Sequence, residues 1–92
     1  MVVADMDEIR TPAEDDVAIE AAVLTQLLAL HPAQLSLDEL LRELASDPGD
    51  FAERDSVGRA VRDLAAAGLL HRNGELLAPS RAALRLDQLL GG

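Results

Sequence analysis

The chain has 92 residues and a formal net charge of −9, from 17 acidic residues against eight basic ones, all arginine. Length allows one domain. The absence of cysteine excludes disulfides, thiolate metal sites and cysteine nucleophiles, and the net charge argues against general affinity for polyanions or anionic membranes. Eighteen leucines and sixteen alanines against a single aromatic, Phe51, require an aliphatic, mostly helical core. The charge is uneven. Residues 1–16 hold six acids and one arginine, residues 17–50 the same, and residues 51–92 five acids and six arginines. No apolar run approaches the ~20 residues that span a bilayer, and the N-terminus has no basic region ahead of an apolar stretch. A cytoplasmic location with no membrane partner is the expectation.

Residues 1–10 are acidic and aperiodic, and they read as a flexible arm; residues 11–92 read as a single domain. Thr11-Pro12-Ala13-Glu14 has the form of a capping box with proline at the first helical position. Asp15 and Asp16 follow where the helix dipole favours negative charge. Val17, Ala21, Leu24, Leu28 and Val23, Leu27, Leu30 keep helical spacing until Pro32 ends the helix near Leu30 or His31. Ala33–Leu35 is extended. Ser36-Leu37-Asp38-Glu39 opens a second capping box, and Leu37, Leu40, Leu41 and Leu44 form the buried stripe of a short helix. Ser46–Asp50 breaks the chain, with Phe51 beyond it placed to plug the core. A third helix is expected from about Asp55 to Ala67, burying Val57, Ala60, Val61 and Leu64 and ending at Gly68. Leu69–Arg72 and Glu75–Ala78 flank Asn73-Gly74, a hairpin signal that would set Arg72 opposite Glu75 and Leu70 opposite Leu77. Pro79-Ser80 starts a last amphipathic helix carrying Ala83, Leu86, Leu89 and Leu90, closed by Gly91-Gly92.

The order helix, extended segment, helix, helix, hairpin, helix, together with Asp55–Gly74, resembles a winged helix-turn-helix domain. The resemblance is carried by Ser56 at the helix start, by Arg59-Ala60-Val61-Arg62-Asp63-Leu64, and by Gly68-Leu69-Leu70 before the wing. It covers most of residues 17–78 in element order and about twenty residues in motif. It implies a mainly α fold with a small β-hairpin: a three-helix core, a short wing and a C-terminal helix, with Ala33–Leu35 able to add a third strand. It also implies a DNA-binding transcriptional regulator whose third helix, about residues 55–67, lies in the major groove. Ser56, Arg59 and Arg62 would then face DNA, Arg54 would hold a phosphate and Arg72 would sit by the wing tip. Four features depart from the pattern: a long acidic turn at Asp47–Glu53, a two-residue wing turn beside Glu75, Asp55 and Asp63 flanking the reading surface, and Gly58 where related helices often carry a polar side chain.

The same arginines also fit a solvated face, since Asp55, Arg59 and Asp63 stand at i,i+4 spacing. The alternative function is a protein–protein interaction module that binds a basic partner and no DNA. A third reading lets the acidic arm cover the arginine face. Leu86, Leu89 and Leu90 can cover the domain's own core or pair with a second copy, with Ile19 and Val23 contributing; a homodimer is the expectation. His31 and His71 are forty residues apart without a third ligand, so no metal site is expected. No serine, histidine and acid are placed as a catalytic set, and no glycine-rich phosphate loop occurs. No enzyme activity and no cofactor are expected.

Overall fold

The computed structural model describes residues 12–44 and 51–92. They form α1 (Pro12–Leu30), β1 (Leu35–Ser36), α2 (Leu37–Leu44), α3 (Phe51–Ala66), β2 (Leu70–Asn73), β3 (Leu76–Pro79) and α4 (Arg81–Leu89). The architecture is mainly helical α+β, with a three-stranded antiparallel sheet in the order β1-β3-β2. The arm of residues 1–10, the capping box at Thr11 and the break at Ser46–Asp50 lie outside the described residues.

One apolar cluster joins the elements. Val23 and Leu27 of α1 meet Leu40 and Leu41 of α2, Val57, Ala60, Val61 and Leu64 of α3, and Leu70 and Leu77 of the sheet. Each fully buried leucine contributes about 1.5–3 kcal/mol through removal from water. Val23 is completely buried in this cluster and so is not free to meet a second copy, whereas Val17 is exposed.

The second capping box forms as its sequence dictates. The Ser36 N–H donates to Glu39 Oε1 at 2.8 Å, and the Glu39 N–H donates to Ser36 Oγ at 3.2 Å. The backbone N–H of Ser36 holds the Glu39 carboxyl below its ordinary 4.5, helped by the Ser36 side chain, against desolvation and with a lesser contribution from Arg42.

α3 begins at Phe51, four residues ahead of the expected start. Continuing the helix backwards places Phe51 one turn before Arg54 and Asp55, on their solvent face. Phe51 is accordingly 81% exposed and does not plug the core. The far end of α3 closes in a Schellman motif. Gly68 has φ +83°, the Leu69 N–H donates to the Leu64 carbonyl at 2.9 Å, and the Gly68 N–H donates to the Ala65 carbonyl at 3.1 Å.

The hairpin differs in register from the sequence expectation. Arg72 opposes Leu77 and Leu70 opposes Pro79, with Asn73 and Leu76 closing a two-residue turn, Gly74-Glu75. An Asn73-Gly74 turn of type I′ requires positive φ at both central residues. Among the described residues only glycines take positive φ, and Gly74 has φ +62°, which fits a type II′ turn with glycine first. The slip is two residues, so every side chain keeps its expected face. β1 pairs Leu35 with Leu77 and Ser36 with Leu76 and stops short of Pro79, so the proline interrupts no bond to that strand.

Ser80 caps α4, its Oγ accepting from the Ala83 N–H at 3.1 Å. The same hydroxyl donates to the Gly68 carbonyl at 2.6 Å, and the Ser80 N–H donates to the Leu69 carbonyl at 3.0 Å. This clasp ties the end of the hairpin to the end of α3.

Candidate nucleic-acid interface

The solvent face of α3 follows from its buried one. Val57, Ala60, Val61 and Leu64 turn inward, so Arg54, Asp55, Gly58, Arg59 and Arg62 turn outward at helical spacing. Arg54, Asp55, Gly58, Arg59 and Arg62 line an open concavity of about 370 Å³ with Leu37 of α2 at its edge. A smaller one, about 170 Å³, continues it toward the hairpin and shares Leu37, Gly58 and Arg62 with Arg72 and Glu75. The fold thus brings together four of the five residues singled out as DNA contacts, Arg54, Arg59, Arg62 and Arg72, in one tract across α3 and β2.

Ser56 is not part of that tract. A helix advances about 100° per residue, which sets Ser56 roughly 160° around α3 from Gly58. It is half-buried instead in an apolar cavity of about 330 Å³ between α1 and α3, beside Ile19, Ala22, Leu44 and Val57.

The arginines differ in how they are held. Arg54 Nη1 and Nη2 both donate to Asp38 Oδ1, at 3.2 and 3.0 Å, an exposed bridge from α3 to the start of α2. Arg59 Nη2 lies 3.9 Å from Asp16 Oδ1 of α1, beyond hydrogen-bond distance. The expected local partners Asp55 and Asp63 form no ion pair with it. Arg62 and Arg72 have no ion pair to an acid among the described residues.

Sequence spacing missed the Arg54–Asp38 pair because the two residues are sixteen positions apart on different helices. It also missed Leu37 and Gly58 as walls of the concavity. Gly58 is a glycine inside a helix that no turn requires, and that was the available signal.

Leu86 and Leu89 of α4 and Leu90 at its C-cap are 47%, 67% and 78% exposed. They do not cover the domain's own core; Ala83 alone of that helix is buried. No group of three or more histidines or acids among the described residues is placed to hold a metal ion, and no described helix is long and apolar enough to cross a membrane. No family model, curated protein or solved structure matches the chain.

Proposed function

We propose that this chain binds DNA as a transcriptional regulator of the winged helix-turn-helix kind, with α3 entering the major groove. The observation that carries this reading is the continuous tract of Arg54, Arg59, Arg62 and Arg72, with Arg62 shared by both concavities. Guanidinium groups bond phosphates and the acceptor edge of guanine, and an α-helix fits the major groove. On this reading, affinity for duplex DNA falls steeply between about 50 and 200 mM salt as counterions are released. Arg62→Ala lowers affinity about tenfold, and Arg72→Ala reduces the salt slope by about one. Electrophoretic retardation of genomic fragments tests this; no retardation at low salt overturns it.

The partner copy in this reading docks through Leu86, Leu89 and Leu90. Leu89→Glu then converts a dimer to a monomer in sedimentation, and an already monomeric wild type removes the dimer.

A second reading, a protein-interaction module without DNA contact, is favoured by one observation. Two of the four arginines already have an acid within 4.0 Å, Arg54 with Asp38 and Arg59 with Asp16. It predicts capture of a basic protein that survives nuclease treatment, from a chain that retards no duplex.

A further inference from the structure

Gly58 lies in the middle of α3, a position where glycine is among the worst helix formers. Its backbone φ is not positive, so no left-handed conformation calls for it. No neighbour calls for it either, because a Cβ built there meets nothing within 4 Å. The fold therefore gains nothing from the missing side chain. What the absence does is leave bare backbone at the wall that both concavities of the arginine tract share.

The wall chemistry indicates what enters. Arg59 and Arg62 offer donors, Asp55 offers an acceptor, and Leu37 offers an apolar edge. A phosphate would suit the arginines but would be repelled by Asp55. The major-groove edge of a G·C pair suits both charged walls, because guanine presents acceptors to an arginine and cytosine presents an amino donor to Asp55. Arg54 is bonded to Asp38 and Arg59 lies 3.9 Å from Asp16, which leaves Arg62 as the reading donor with no ion pair among the described residues.

We propose that Gly58 is the point of closest approach between α3 and DNA, admitting the edge of a G·C pair between an arginine that reads guanine and Asp55, which accepts from the cytosine amino group. This rests on the DNA-binding reading and names what that site recognises.

The test uses the full chain and a pool of duplexes with a random core, with selection by the wild type followed by fluorescence anisotropy. Gly58→Ala is expected to raise Tm by roughly 4–8 °C, through helix propensity, while lowering affinity for the selected duplex about tenfold. Asp55→Asn is expected to lose the preference for cytosine at one position. Three results overturn the inference alone: a Gly58→Ala chain that binds as the wild type does, one that melts at lower temperature, or an Asp55→Asn chain with unchanged base preference. A wild type that selects no duplex overturns the DNA reading, and the inference with it.

Discussion

Ser80 concentrates several roles in one hydroxyl. It satisfies an orphan N–H at the start of α4 and bonds the Gly68 carbonyl at the end of α3. Ser80→Ala removes both and leaves Gly68 without that donor, so a loss of about 1–2 kcal/mol is expected in chemical denaturation. Gly68 is the complementary case. Its φ of +83° is costly for any residue with a Cβ, so Gly68→Ala is expected to destabilise by about 1 kcal/mol although open space surrounds the position. Gly58→Ala carries the opposite sign at the same kind of residue, because there the backbone is helical. Such residues were readable to different depths. Gly68 and Ser80 were visible as punctuation at element ends, since caps depend only on neighbours in the chain. The pairing of Arg54 with Asp38 depends on how α2 and α3 meet, which local spacing does not encode.

Among the elements, α2 carries its own pH response. The Glu39 carboxyl is lowered by bonds that exist only in the folded chain, so the charged form stabilises that fold. The contribution is complete above the ordinary value of 4.5 and is lost as pH falls through the lowered one. The difference in Tm between wild type and Glu39→Gln is therefore expected to be steady near neutrality and to vanish in acid. A difference that does not change with pH removes the capping carboxylate as its source.

The stripes of α2 and α3 were legible because periodicity reports the buried face directly: Leu40 and Leu41 of α2 and all four inward residues of α3 fall where spacing puts them, whereas Val17 and Ala21 of α1 keep the spacing yet are exposed. The hairpin was legible in its strands and faces but not in register, because Gly74 can stand second in an Asn73-Gly74 turn or first in a Gly74-Glu75 turn, and the fold takes the latter. Phe51 was misplaced for a third reason. Its apolar character pointed inward, but the helix phase fixed by Val57 and Ala60 points it outward.

Over the whole molecule the charge is −9, yet four arginines gather on one face, interleaved there with Asp55 and Glu75. The acidic arm lies outside the described residues, but the helix it leads into does not. Asp16, in the second turn of α1, is the acid nearest Arg59. If α3 binds DNA, Asp16 competes with the polyanion for that arginine. Asp16→Asn is expected to raise duplex affinity by up to about fivefold at low salt, within the range of an exposed ion pair, and by less as salt rises. Equal affinity of the two chains at low salt would show that Arg59 is not shared in this way.

The clasp at Ser80 has a consequence for how the molecule opens. The apolar cluster is complete without α4, and the buried anchor of that helix is Ala83. Opening α4 therefore exposes little apolar surface, whereas opening α1 or α3 dismantles the core. Amide hydrogen exchange should divide the chain accordingly, with α4 exchanging through a small local opening and the buried helices only through global unfolding. Should two copies meet through Leu86, Leu89 and Leu90, that local opening would have to break the pair first, and protection in α4 alone would rise with protein concentration.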